Sequence, residues 1–92
     1  LKVVETFKKF FPDKQVFADM KTMDAGGLEA EMAFRANADM TTVLAVSNDA
    51  TIEGAVAAGR KYGKYVTADM IGVQNRPKRA RELECLGVNF LE

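Results

Sequence analysis

The chain has no histidine and a single cysteine, Cys85, among 92 residues. An intramolecular disulfide is therefore impossible, and a Cys–His nucleophile is excluded. Without histidine the commonest zinc ligand and general base are gone as well. Thirteen basic and thirteen acidic residues leave no net charge, so composition does not point to a nucleic-acid binder. The basic run Arg76-Pro77-Lys78-Arg79-Ala80-Arg81 is followed by Glu82 and Glu84 and reads as a solvated helix face rather than a phosphate-backbone patch. No apolar run approaches the roughly 20 residues of a membrane helix. No signal-peptide pattern opens the chain, and cytoplasm is the expected compartment.

An apolar fraction of 48% with 28% charged is ordinary globular composition. Leu1 to Phe11 places Leu1, Val3, Val4, Phe7, Phe10 and Phe11 near one face of a helix, with Lys2, Glu5, Lys8 and Lys9 opposite, and Pro12-Asp13 ends it. Residues 15–21 read as a strand. Gly26-Gly27 frees the backbone to turn into a short helix, Leu28 to Ala36, expected to bury Leu28, Met32 and Ala36 before a left-handed cap at Asn37. Met40 to Val46 is a second strand. Ser47-Asn48-Asp49 offers N-cap chemistry for a helix packing through Ile52, Ala55, Val56 and Gly59 and stopping at Gly63. Tyr65 to Ile71 is a third strand. Pro77 suits the first turn of a last helix, which buries Ala80, Leu83 and Leu86 and closes at Gly87. Asn89 to Glu92 opens a fourth strand. The five methionines, Met20, Met23, Met32, Met40 and Met70, read as core filler.

Strand starts fall near residues 15, 40, 65 and 89, at intervals of 25, 25 and 24. That regularity predicts an α/β fold of parallel strands alternating with helices. A doubly wound sheet and a partial (βα)8 TIM-type barrel both fit, and the near-constant interval favours the barrel. Residues 1–92 are expected to be an internal slice of one barrel domain: a helix, three strand–helix units and the start of a fourth strand. Either architecture puts chemistry at the carboxyl ends of the strands, where Asp19, Lys21, Asp24, Ser47, Asp49 and Asp69 lie.

The stretch from Asp19 to Gly27 is the chemical centre of the chain. Alternation on a strand puts Asp19 and Lys21 on one face, roughly 7 Å apart at the backbone, and Asp24 in the loop beyond. Mixed charges at the end of an apolar strand are costly unless they pair, meet a metal or face a site. A salt bridge that merely stops the strand is the alternative. Asp69 is expected to cap a helix or fill a barrel layer rather than face a substrate.

Ala18-Asp19-Met20-Lys21-Thr22-Met23-Asp24-Ala25-Gly26 resembles the Asp-x-Lys-x-x-Asp signature of the orotidine 5′-phosphate decarboxylase superfamily, and within it the 3-hexulose-6-phosphate synthases. The likeness continues in register through 28–34, 42–44, 49–56 and 69–75. It implies a homodimeric barrel that uses Mg²⁺ and joins formaldehyde to ribulose 5-phosphate, reversibly, giving a hexulose 6-phosphate. It also implies that Asp19 helps hold the metal, that Lys21 lies beside the reacting carbons and that Asp24 reaches into the neighbouring subunit's site. A second metal ligand, a histidine and phosphate-gripping loops are implied outside these residues, so the slice alone is expected to be inactive. Decarboxylases of 3-keto-L-gulonate 6-phosphate or orotidine 5′-phosphate, and a non-catalytic half-barrel unit, are the alternatives.

A barrel lysine could instead form a Schiff base, which requires a neutral amine. Two carboxylates within reach oppose that. At about 4 Å and an effective dielectric near 20, one such pair is worth roughly 4 kcal/mol before desolvation. Lys21 is therefore expected to stay an ammonium.

Overall fold

Four parallel strands lie side by side in chain order: β1 (Phe17–Thr22), β2 (Met40–Leu44), β3 (Tyr65–Asp69) and β4 (Phe90–Leu91). Helix α1 (Lys2–Phe10) precedes them, and α2 (Gly26–Arg35), α3 (Asp49–Tyr62) and α4 (Arg76–Leu86) connect them. The computed structural model describes all residues, Leu1 to Glu92. A doubly wound sheet doubles back from its first strand, whereas a barrel adds each new strand beyond the last. The sequential order makes this chain an arc of a (βα)8 barrel.

The core lies between the sheet and its helices. Val43 of β2 and Ala45 just beyond it, then Val66 and Ala68 of β3, pack against Ile52, Ala55 and Val56 of α3 and Ala30 and Phe34 of α2. Ile52 is fully buried, worth about 1.5–3 kcal/mol for a side chain of this size. Helix α3 forms where expected. The Asn48 side chain accepts from the Thr51 N–H at 2.9 Å, and Gly63 ends the helix at φ +64°. Because successive side chains alternate, Thr42, Thr67 and Asp69 face away from the helices, toward the side on which a barrel's interior lies.

Several expectations are corrected. Helix α2 begins at Gly26, and it buries Gly26, Ala30, Ala33 and Phe34. Leu28 and Met32 are exposed; of the three expected inward residues only Ala36 is buried. Packing decides the rotation. A methyl group on Gly26 would overlap the Thr51 carbonyl, so α2 meets α3 through its bare glycine edge. The turn before it is made by Ala25 at φ +53°, not by the glycine pair. Asn37 does adopt the left-handed conformation, φ +75°. On α1 only Val4 is buried, while Leu1, Val3, Phe7, Phe10 and Phe11 remain exposed. Of the methionines, Met20 and Met70 pack on the core, whereas Met23 and Met32 are exposed.

At the amino-terminal end of the strands Asp39 ties the arc together. Its carboxylate accepts from the Val16 N–H at 2.8 Å, Lys8 Nζ at 3.0 Å and Lys64 Nζ at 3.3 Å. Val16 and the two lysines hold its pKa below the usual carboxylate range, against the opposing effect of burial.

Candidate active site

At the opposite end, the first strand is irregular. Ala18 pairs with Thr41 and Thr22 with Val43, so residues 19–21 stand against the single residue Thr42. The bulge puts Lys21 at φ +47°, a left-handed conformation costing a non-glycine residue roughly 1–2 kcal/mol. Two hydrogen bonds support it. The Lys21 N–H donates to Thr42 Oγ1 at 2.9 Å, and Thr42 Oγ1 donates to Asp19 Oδ1 at 2.7 Å.

The Lys21 ammonium is the meeting point of three strand tips. Its Nζ lies 2.6 Å from Asp69 Oδ2, 3.2 Å from Asp19 Oδ2 and 4.0 Å from Glu92 Oε1. The bonds to Asp69 and then Asp19 raise the pKa of Lys21. The same lysine, followed by the Ile71 N–H, lowers that of Asp69. Glu92 is displaced upward, first by burial and then by the negative charge of Asp69 and Asp19. An ammonium so placed can stabilise negative charge forming on an oxygen and can carry a proton to it. It is poorly suited to nucleophilic attack through a free amine, which agrees with the expectation from sequence.

Asp19 and Lys21 are thus brought together as expected. Asp24 is not part of this cluster: it is exposed in the loop after β1, and its Oδ1 accepts from the Ala25 N–H at 2.7 Å. Asp69 caps a turn rather than a helix: its Oδ1 accepts from the Ile71 N–H at 3.0 Å just after β3, while Oδ2 holds Lys21. Glu92 is legible only through register, since Ala68 pairs with Leu91 and the next step sets Glu92 beside Asp69. Asp69, Met70, Ile71, Arg76, Leu91 and Glu92 line an open hollow of about 420 Å³ beside the cluster.

The basic run is only partly a solvated face. Arg76, Lys78 and Arg81 are exposed. The Arg79 side chain is 15% exposed and braces the β2–α3 loop, donating to Ala45 O at 2.8 Å, Ser47 O at 2.9 Å and Asp49 Oδ1 at 2.7 Å. Cys85 is free and exposed. No helix is long and apolar enough to cross a membrane.

No three His, Cys, Asp or Glu side chains gather in an arrangement able to hold a metal ion. All three carboxylates turn toward the ammonium, Asp69 and Asp19 more closely than Glu92. Asp19 is half exposed and offers hard oxygen donors, one carboxylate where Mg²⁺ takes several oxygens.

This arc with its strand-tip lysine coincides with a known family: residues 1–90 match the profile of the orotidine 5′-phosphate decarboxylase / HUMPS family. The chain belongs to that family. Within the orotidine 5′-phosphate decarboxylase / HUMPS family, it is 52% identical over 92 residues to 3-hexulose-6-phosphate synthase of Mycobacterium gastri, covering 100% of this chain and 44% of that protein. The crystal structure of 3-hexulose-6-phosphate synthase from Salmonella typhimurium superposes with a TM-score of 0.95 at 40% identity, over 98% of this chain and 43% of that one. For 3-keto-L-gulonate-6-phosphate decarboxylase from Vibrio cholerae O1 biovar El Tor str. N16961 the values are 0.92 and 29%, over 98% and 42%. The chain therefore spans less than half the length of these family members.

Proposed function

We propose that these residues form the lysine-bearing half of the active site of a 3-hexulose-6-phosphate synthase-type aldolase, a cytoplasmic, homodimeric enzyme. The reaction is the reversible joining of formaldehyde to C1 of ribulose 5-phosphate. A base of the completed site takes a proton from C1, the resulting enediolate attacks the formaldehyde carbon, and the former aldehyde oxygen takes up a proton. The observation that carries this reading is the Lys21 ammonium held between Asp19 and Asp69 at the strand tips. There it lies ready to stabilise the enediolate and to deliver the proton. Mg²⁺, when bound, would supply a Lewis acid for the substrate oxygens, with Asp19 as one ligand. Asp24, exposed on its loop, would complete the site of the partner subunit.

Decarboxylation of 3-keto-L-gulonate 6-phosphate is the second reading. The Vibrio cholerae decarboxylase shares the arc, and loss of CO₂ from a 3-keto acid also leaves an enediolate for an ammonium to stabilise. The higher identity to the synthases favours aldol chemistry.

The test is a chimera in which these 92 residues replace the matching segment of the Mycobacterium gastri enzyme. Formaldehyde-dependent consumption of ribulose 5-phosphate is expected. A folded chimera that releases CO₂ from 3-keto-L-gulonate 6-phosphate instead, or turns over neither substrate, contradicts the proposal. The 92-residue chain by itself is expected to show no turnover.

A further inference from the structure

Thr42 is completely buried, 0% exposed, yet its hydroxyl bonds both charged residues of the bulge. We propose that Thr42 is a positioning residue of the site, its hydroxyl fixing both the Asp19 carboxylate and the Lys21 backbone so that Nζ comes to rest between Asp19 and Asp69. The inference rests on the aldolase reading for its catalytic consequence and on geometry alone for the positioning.

The argument begins with hydrogen-bond capacity. A threonine hydroxyl has one proton and two lone pairs, and an ionised carboxylate can only accept. The proton is therefore committed to Asp19 Oδ1 at 2.7 Å, and a lone pair takes the Lys21 N–H at 2.9 Å. Asp19 Oδ2 then meets Lys21 Nζ at 3.2 Å, which closes a ring of three contacts through Thr42. Each contact fixes something different. The bond to Oδ1 sets the rotation of the Asp19 carboxylate. The bond from the Lys21 N–H anchors the left-handed residue whose backbone direction aims the side chain. The ion pair then joins the two ends.

The strand register makes Thr42 irreplaceable from within β2. It is the one residue opposite the three-residue excursion at 19–21, so neither Thr41 nor Val43 is placed to do its work. Thr41 offers a matched comparison: it is also buried, at 1%, but its hydroxyl donates to Ala18 O at 3.1 Å on the helix-covered side, away from the charges. Valine at position 42 would keep the shape of the side chain and remove both bonds. Serine would keep the bonds and remove a methyl group.

Three variants of the chimera separate positioning from packing. T42V is expected to lower kcat by about 10²-fold, the scale on which a misplaced catalytic group is felt, while leaving KM for ribulose 5-phosphate within about threefold. T42S is expected to stay near the parent kcat, and so is T41V, which loses a buried hydrogen bond outside the site. Parent-like kcat in T42V, or T42S as impaired as T42V, overturns the proposal.

Amide hydrogen exchange in the 92-residue chain needs neither activity nor a folded T42V variant. The Lys21 amide is expected to be protected, because its acceptor is a buried hydroxyl. Exchange of that amide at the rate of an unfolded peptide, while the core amides of α3 stay protected, overturns the positioning role. If the parent chimera is inactive and the Lys21 amide is protected, the aldolase reading fails and the positioning role stands.

Discussion

Lys21 Nζ reaches Asp69 Oδ2 at 2.6 Å across a sequence separation of 48 residues, passing over the strand that lies between them. The contact joins the tips of β1 and β3 and makes Asp69 a direct neighbour of the ammonium. Replacing Asp69 by asparagine keeps the shape and the cap on Ile71 but removes the charge. In the chimera, D69N is expected to lower kcat/KM for ribulose 5-phosphate about 10²-fold, as misplacement of the ammonium would. Steady-state kinetics with formaldehyde as the second substrate checks this.

The third carboxylate behaves differently. Glu92 ionises less readily in the folded chain than in the unfolded one, because burial and the charges of Asp69 and Asp19 oppose it. The folded state thus binds more protons as pH rises through the carboxylate range, and stability falls over that window. E92Q is expected to melt higher than the parent at pH 7 and to lose that advantage near pH 4. The Lys21–Asp69 pair has the opposite signs, Lys21 raised and Asp69 lowered. Its contribution is present between the usual carboxylate and lysine ranges. It is lost as pH falls through the Asp69 value or rises through that of Lys21. Melting curves across pH on the two variants, E92Q and D69N, measure both effects.

Asp39 holds the amino-terminal end with three donors. Alanine there leaves the Val16 N–H without its acceptor and removes the carboxylate shared by Lys8 and Lys64, and D39A is expected to cost about 1–3 kcal/mol in denaturant unfolding. Because its pKa is lowered, the stabilisation is present above the usual aspartate range and disappears as pH falls through the folded value.

Arg79 uses a planar fork that lysine cannot reproduce, meeting two carbonyls and the carboxylates of Asp49 and Glu82 at once. R79K is expected to destabilise the chain by about 1.5–3 kcal/mol, the scale of a hydrogen bond to a charged group, as read by chemical denaturation.

How far the sequence could be read depends on which force set each feature. The strands and α3 were legible because local signals agreed: β-branched runs, the Asn48 cap and the Gly63 stop. The helix α2 misled because Leu28, Met32 and Ala36 fall at intervals of four, a helical stripe, whereas the large residue it buries is Phe34. Its inward face is chosen by the close approach of Gly26 to Thr51, a contact between distant segments that periodicity does not encode. The shared face of Asp19 and Lys21 was anticipated from strand alternation, yet it is reached through a bulge and a left-handed lysine. Glu92 and the burial of Arg79 depend on register and on loop packing, neither of which is visible in a local pattern.

The state of the Lys21 amine is the point on which the chemistry turns, and it can be observed directly. Selective ¹⁵N labelling of lysine allows the Nζ signal of Lys21 to be followed through a pH titration of the 92-residue chain. The expected result is an ammonium that persists to a higher pH than an unperturbed lysine, with a midpoint that drops in D69N. A midpoint below the ordinary lysine value would contradict the role assigned to it and would place Lys21 among the amine nucleophiles.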